Sequence, residues 1–202
     1  MTTNKISCIL LAGGQSKRMG EDKAFLKLDG QTFLKIIVKK LYEKCVEIIL
    51  SINKDEKIYQ KELHEFLDKI TFIKDKNPYD GPLNAVVSVA DSINNPYVFI
   101  ATVDTPLLNP ELIDFYKEKI SDYDCILPVI NGKYQPLNTL YKKDALEKAK
   151  EVYKSSKSLM SWIDKLNCLK LYEDEISKID KNLFSYWSIN TKDEYERLKN
   201  IK

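Results

Sequence analysis

The 202-residue sequence is poor in the residues that usually mark metal sites, disulfide-rich folds and membrane spans. It has one histidine and four cysteines, and the cysteines are too widely separated to predict a zinc site or a dense disulfide framework. Its apolar runs fall well short of the ~20 residues of a transmembrane helix, and the run at 6–12 is too short for a signal peptide. We therefore expect a protein without a membrane partner, in the reducing environment of the cytoplasm.

Arginine is scarce, and the net charge is small. The chain has 32 lysines and arginines against 30 aspartates and glutamates, a formal net charge of +2. This balance argues against a nucleic-acid partner that is bound through a strong basic excess. Only Arg18 and Arg197 are arginines, and because arginine and lysine hold phosphate differently, an arginine in a candidate site is informative. Arg18 lies in the candidate phosphate-binding segment 10–24, whereas the sequence assigns no role to Arg197.

The length and a hydrophobic content of 44% predict one α/β domain over 1–202. Apolar runs of strand length alternate with helical patterns, which is typical of βαβ units and a mostly parallel sheet flanked by helices. The predicted strands are 6–11, 46–52, 70–73, 97–103, 125–129 and 168–171. Helical stripes or caps predict helices near 33–41, 83–90, 110–120, 159–166 and after Thr191. The lysine-rich stretch 142–181 is expected to form solvated helices at the sheet edge.

The segment 10–24 carries the strongest functional signal. A predicted strand runs directly into Gly13 and Gly14, which would let the backbone approach a ligand closely and direct N–H groups at an anion. Arg18 and Lys23 add cationic charge to the same loop, as binding of a triphosphate requires. The spacing fits neither a Walker A loop nor a G-x-G-x-x-G fingerprint. The segment therefore predicts a phosphate-binding loop of a different kind.

Asp104 follows a predicted buried strand, so its carboxylate is expected at the carboxyl edge of the sheet, where open α/β folds bind ligands. One carboxylate suffices for Mg²⁺ when phosphate oxygens and water complete the coordination. A simple turn-capping role for Asp104 competes with the metal role. No catalytic triad is visible, and His64 lies among charged residues on a helix face that we expect to be exposed, as a bystander.

These motifs resemble a known family. The pattern L-A-G-G-x-S-x-R-M-G-x-D-K at 11–23 is similar to the signature loop of molybdenum cofactor guanylyltransferases, members of a larger nucleotidyltransferase group. Asp22 favours the guanylyl branch, since sugar-nucleotide and cytidylyl relatives usually have a proline there. Segments 79–83, 103–108, 135–141 and 188–191 resemble further family motifs in the same order, with departures at Asn84, Ala85, Ser188, Lys192 and Asp193.

The resemblance implies a Rossmann-like nucleotide-diphospho-sugar transferase fold, with 1–104 mainly binding nucleotide and 105–202 mainly binding the acceptor. It implies transfer of GMP from Mg-GTP to molybdenum-molybdopterin, and molybdoenzymes or their chaperones as partners that receive the product. Arg18, Lys23 and Asp104 would be catalytic, and Asp104 would hold Mg²⁺. The implied nucleotide contacts are Leu11, Ala12, Gly13, Gly14, Lys23, Ser51, Asp75 and Asp104, with Asn53 near Ser51; the implied acceptor contacts are Gln135 and Asn190.

Two other functions remain open at this point. A cytidylyltransferase or sugar-phosphate nucleotidyltransferase on the same fold stays open because Ser51 stands where the family has asparagine and the glycine after Leu83 is missing, although Asp22 argues against it. Asp75 could equally be an exposed loop acid, and Asn190 could serve a helix N-terminus. The second function is a nucleotide-binding adaptor that delivers cofactor to molybdoenzymes without catalysis. The retained Arg18, Lys23 and Asp104 argue against that loss of activity.

Overall fold

The computed structural model describes residues 5–14 and 19–201, which form strands and helices in alternation. Within these residues, the strands are β1 (Ile6–Leu11), β2 (Lys27–Leu28), β3 (Gln31–Thr32), β4 (Glu47–Ile52), β5 (Ile70–Lys74), β6 (Tyr97–Thr102), β7 (Cys125–Ile130), β8 (Lys133–Tyr134), β9 (Thr139–Lys142) and β10 (Cys168–Tyr172). The α-helices are α1 (Phe33–Lys44), α2 (Glu56–Glu62), α3 (Pro82–Val89), α4 (Glu111–Lys119), α5 (Asp144–Tyr153), α6 (Leu159–Ile163), α7 (Glu173–Ile176) and α8 (Lys192–Lys199).

The main sheet has the order β10-β7-β9-β6-β1-β4-β5, and β8 pairs with β7 at one end. The β1, β4, β5 and β6 neighbours pair in parallel, as do β7 and β10. The predicted α/β class and mostly parallel sheet are therefore confirmed. β9, which runs antiparallel between β6 and β7, was not predicted from the sequence, because a four-residue strand gives too little periodicity.

Both faces of the sheet are covered, which explains why its central strands are continuously apolar. All six residues of β1 are buried. Cys8 and Leu10 of β1 belong to one core, with α1 and α4, whereas Ile9 and Leu11 belong to a second core, with α3 and α5. Since successive side chains of a strand point to opposite faces, β1 anchors both layers. This rigid centre fixes the loop that follows Leu11.

The helix cap predicted at Thr191 agrees with the structure. Thr191 and Glu194 form a capping box at the start of α8. Ser158 is the N-cap of α6, and its hydroxyl accepts hydrogen bonds from the backbone N–H groups of Met160 and Ser161. Side-chain oxygens at these positions satisfy N–H groups that the first helical turn leaves without partners. These local signals are readable from sequence because they need no distant residue.

The cysteines depart from the expectation of reduced thiols. Cys125 of β7 and Cys168 of β10 lie opposite each other in neighbouring parallel strands and form a disulfide. Cys8 and Cys45 are free and buried. The correction arises because a separation of 43 residues in the chain gives no hint that the two strands are adjacent. In the described ranges, no helix is long and apolar enough to span a bilayer.

Candidate functional site

The carboxyl ends of β1, β4, β5 and β6 meet at one edge of the sheet, and a cavity of about 520 Å³ opens there. Its wall includes the segment that follows β1, the loop before α3 and Asp104 after β6. Ligands bind at this edge in open α/β sheets, because the loops that leave the parallel strands converge there. The volume is in the ordinary range for a small-molecule or cofactor site.

The two glycines after β1 have different surroundings. A Cβ atom on Gly13 would lie 2.1 Å from Asn53 Nδ2, whereas a Cβ atom on Gly14 would meet nothing within 4 Å among the described atoms. Asn53 Nδ2 donates a 2.7 Å hydrogen bond to the Gly13 carbonyl oxygen. Close approach of the Asn53 side chain therefore requires glycine at 13, while Gly14 faces open space.

A charged cluster joins three distant parts of the chain at the cavity wall. Lys23 Nζ lies 3.2 Å from Asp104 Oδ2 and donates a 2.5 Å hydrogen bond to Asn190 Oδ1. Thr102 Oγ1 donates to Asp104 Oδ1 at 3.0 Å. The Lys23 and Asp104 side chains are 16% and 19% exposed, so water screens their pairing less than that of a surface salt bridge. The cluster combines a cation and a carboxylate within reach of one ligand.

Asp22 directly precedes Lys23 of this cluster and makes two polar contacts. Its Oδ1 accepts a 3.0 Å hydrogen bond from the backbone N–H of Ala24 and so caps the short 3₁₀ turn at Lys23–Phe25. Its Oδ2 pairs with Lys54 Nζ at 2.7 Å. A proline at this position would lack a side-chain oxygen for either contact. Asp22 therefore orients the turn that carries Lys23.

Asp75 also lines the cavity; it follows β5, which lies three strands along the sheet from β6 and Asp104, and it is nearly buried. Its carboxylate accepts a hydrogen bond from Ser51 Oγ and a 2.8 Å hydrogen bond from Asn53 Nδ2. Burial raises the pKa of the Asp75 carboxyl above its usual value, and the hydrogen bonds from Ser51 and Asn53 oppose that rise. The interpretation of Asp75 as an exposed loop acid is wrong, because two polar side chains hold it in the cavity wall.

The structure brings most of the candidate residues together. Those that line the cavity are Leu11, Ala12, Gly13, Gly14, Lys23, Asp75, Asp104 and Asn190. Ser51 is fully buried behind Asp75 and does not line this cavity. Gln135 lines a neighbouring cavity of about 140 Å³, which shares Thr102 and Asp104 with the larger one. Arg18 lies outside the described residues. His64 is exposed on the surface, away from both cavities, as expected for a bystander.

Several residues of the wall were not among the predicted site residues, and Asn53 and Tyr79 are two of them. The Asn53 amide bridges the Gly13 carbonyl and Asp75, and its Oδ1 is buried without a partner among the described atoms. The signal for Asn53 was its position just after a buried strand, two residues from Ser51 in sequence. Tyr79 begins the segment 79–83, which resembles a family motif, but the motif assigned no role to this tyrosine.

The described residues contain no group of three or more histidine, cysteine, aspartate or glutamate side chains placed to hold a metal ion. A cation at this edge would therefore depend on Asp104 together with ligand oxygens and water. This donor set suits Mg²⁺, which prefers oxygen ligands, needs few carboxylates and keeps several waters.

An open, mostly parallel sheet whose carboxyl edge brings glycine backbone, a lysine and carboxylates around one cavity is typical of nucleotide-binding α/β proteins. Residues 8–170 match the model of the MobA-like NTP transferase domain. The chain belongs to this family. The single-domain α/β prediction and the nucleotidyltransferase class are thereby confirmed.

Individual relatives agree with this assignment. A protein from Natranaerobius thermophilus named "Probable molybdenum cofactor guanylyltransferase" is 30% identical over 205 residues, covering 98% of this chain and 96% of the relative. The solved structure of molybdopterin-guanine dinucleotide biosynthesis protein A from Archaeoglobus fulgidus has a TM-score of 0.79 at 21% identity and covers 96% of each chain. A 4-diphosphocytidyl-2C-methyl-D-erythritol synthase from Anaerococcus prevotii has a TM-score of 0.73 at 14% identity, covering 97% and 95%. The shared fold alone therefore does not select the base.

Proposed function

We propose that this protein transfers GMP from Mg-GTP to the terminal phosphate of molybdenum-molybdopterin, forming molybdopterin guanine dinucleotide and pyrophosphate. The observation that carries the proposal is the cavity whose wall holds Lys23 beside Asp104 and the buried Asp75. The name of the Natranaerobius thermophilus relative supports the same reaction. The proposed site is an elongated one, with phosphates at one end and the base at the other.

The triphosphate lies against the backbone of Leu11–Gly14 and the Lys23 ammonium. Nucleotidyl transfer requires the α-phosphorus to be held in line between the attacking phosphate oxygen and the departing pyrophosphate. Fixed positive charge then stabilises the negative charge that develops on the leaving group. Lys23 supplies such a charge, and Arg18 of the same loop supplies a second one.

Asp104 is the residue that would hold Mg²⁺, and Thr102 orients its carboxylate through the 3.0 Å hydrogen bond. When bound, the metal neutralises phosphate charge and orients the triphosphate for displacement. Lys23 pairs with Asp104 and Asn190. We propose that Lys23 exchanges these oxygens for phosphate oxygens as the nucleotide enters.

Asp75 reads the guanine edge. A carboxylate accepts hydrogen bonds from both the N1–H and the exocyclic amine of guanine, whereas the Watson–Crick edge of cytosine offers one donor and two acceptors. Ser51 and Asn53 keep the Asp75 carboxylate in place, so they act as positioning residues. Because Asn53 also holds the Gly13 carbonyl, the base-reading end and the phosphate-binding end are mechanically connected.

The acceptor approaches from the side of Asp104 that carries the smaller cavity. Gln135 lines that cavity, and Asn190 lies at the border of the larger one beside Lys23. In this arrangement 1–104 contributes most of the nucleotide contacts and 105–202 most of the acceptor contacts. We place the reaction in the cytoplasm, with molybdoenzymes or their chaperones receiving the product.

The decisive experiment measures pyrophosphate release with each of the four nucleoside triphosphates, with and without Mg²⁺ and molybdenum-molybdopterin. We expect release that is selective for GTP and depends on both additions. Lys23→Ala and Asp104→Ala should each lower turnover by about 10²-fold or more, as expected for the loss of a key electrostatic group. Lys44→Ala is the matched control, since it removes a lysine that is also ion-paired, to Glu111 at 2.8 Å, but lies away from the cavity.

Three results would overturn the proposal. Selectivity for CTP would assign the chain to the cytidylyl branch. Near-normal release by folded Lys23→Ala and Asp104→Ala variants would remove the assigned roles. A stable complex with an apo-molybdoenzyme that releases no pyrophosphate under any condition would favour the adaptor.

A further inference from the structure

Tyr79 is an exposed aromatic residue at the edge of the nucleotide cavity. It is 43% exposed, lines the cavity and has a φ of +63°, in the left-handed region that bulky residues rarely adopt. Among the described residues that line the cavity, it is the one aromatic side chain. Such backbone strain persists only where neighbouring structure enforces it, and it is concentrated at functional sites.

A hydrogen-bonded network fixes the backbone of the loop that contains Tyr79. Asn77 Nδ2 donates to Tyr153 Oη at 3.0 Å, and Tyr153 Oη donates to Asp80 Oδ2 at 2.8 Å. Asn84 Nδ2, from α3, donates to the Asn77 carbonyl oxygen at 2.7 Å. The residues on both sides of Tyr79 are thus tied to α3 and α5. The loop is held so that Tyr79 stays at the cavity edge.

Tyr79 and Asp75, the carboxylate that reads the base in the proposed function, line the same cavity. Within the described part of the chain, the Tyr79 hydroxyl makes no hydrogen bond. The hydroxyl therefore does not hold the Tyr79 ring in a structural contact.

We propose that Tyr79 stacks on the face of the purine whose edge Asp75 reads. This inference rests on the proposed function and extends it, because edge recognition by a carboxylate leaves the two faces of a base uncovered. Stacking of a base on an aromatic ring contributes to binding without hydrogen-bond readout, since it uses the π-face that every base has.

The test compares GTP and ribose 5-triphosphate, which lacks a base, as ligands in isothermal titration calorimetry. Tyr79→Phe keeps the ring. Tyr79→Asn removes it but suits the left-handed backbone, so the loop is expected to remain folded. Tyr134→Asn is the matched control, because Tyr134 is 42% exposed and lines neither cavity.

We expect Tyr79→Asn to weaken GTP binding by about 5- to 100-fold, the range for one stacked base. Tyr79→Phe and Tyr134→Asn should bind GTP within about twofold of wild type, and no variant should change binding of ribose 5-triphosphate. Unchanged GTP binding by Tyr79→Asn would overturn the stacking role. Equal weakening of both ligands would also overturn it, since the loop rather than the ring would then be responsible. Failure of the wild-type protein to bind GTP would instead refute the proposed function, and this inference with it.

Discussion

Gly13→Ala is the substitution for which the structure makes the sharpest prediction. The new Cβ would lie 2.1 Å from Asn53 Nδ2 and 3.1 Å from Asp75 Oδ2. Atoms cannot approach this closely, so the Asn53 amide must move away. It then loses its hydrogen bonds to the Gly13 carbonyl at 2.7 Å and to Asp75 at 2.8 Å. The substitution therefore separates the loop that we propose binds phosphate from the carboxylate that we propose reads the base.

The magnitude follows from these two bonds. A neutral hydrogen bond contributes about 0.5–1.5 kcal/mol and one to a charged group about 1.5–3 kcal/mol. Asn53 is only partly buried, so water replaces part of the loss, and we expect a destabilisation of about 2 kcal/mol. For a chain of this size that lowers Tm by about 4–8 °C. Misplacement of Asp75 by the same movement should raise the Kd for GTP about tenfold or more.

The assay is a thermal melt together with calorimetric titration of GTP, with Gly14→Ala as the matched control. A Cβ on Gly14 meets nothing within 4 Å among the described atoms, so this variant should melt like wild type; Gly14 lines the cavity, so it serves as the control for Tm alone. In an Asn53→Ala background the obstructing amide is gone, and Gly13→Ala should then lower Tm little further. Equal effects of the two glycine substitutions on Tm, or simple additivity of Gly13→Ala and Asn53→Ala, would refute the reasoning.

Two further predictions concern ionisation and the disulfide. Burial raises the pKa of Asp75, so GTP affinity should fall as the pH is lowered through that raised pKa. Asp75→Asn should abolish this pH dependence. Ser51→Ala should move the midpoint of the pH dependence to higher pH. A midpoint that Ser51→Ala leaves in place would contradict this assignment. Reduction of the Cys125–Cys168 disulfide, which closes a loop of 43 residues, should lower the free energy of unfolding by ~2–4 kcal/mol and Tm by roughly 5–15 °C. Cys168→Ser should melt at one temperature with or without reductant, and a wild-type Tm that reductant leaves unchanged would disprove the stabilising role.

Local patterns were enough to predict the elements that depend on neighbouring residues. Apolar runs of strand length identified β1, β4, β5, β6, β7 and β10. The run is fully buried in strands such as β1 and β7, because both faces of the sheet are covered there. The capping box at Thr191 identified the start of α8. The placement of Lys23 and Asp104 at the same sheet edge followed from their positions after β1 and β6. In each case the positions of the residues along the chain were enough to make the prediction.

The sequence by itself determined the α/β class, the family and the residue types that a phosphate site needs, because buried strands and turns depend on residues that are adjacent in the chain. Only the tertiary structure decided which of two adjacent glycines is indispensable, since Asn53 approaches Gly13 and not Gly14. It also decided that Ser51 lies behind Asp75 and that Cys125 meets Cys168. These outcomes depend on the distance between strands that lie far apart in the chain, and no local pattern encodes that distance.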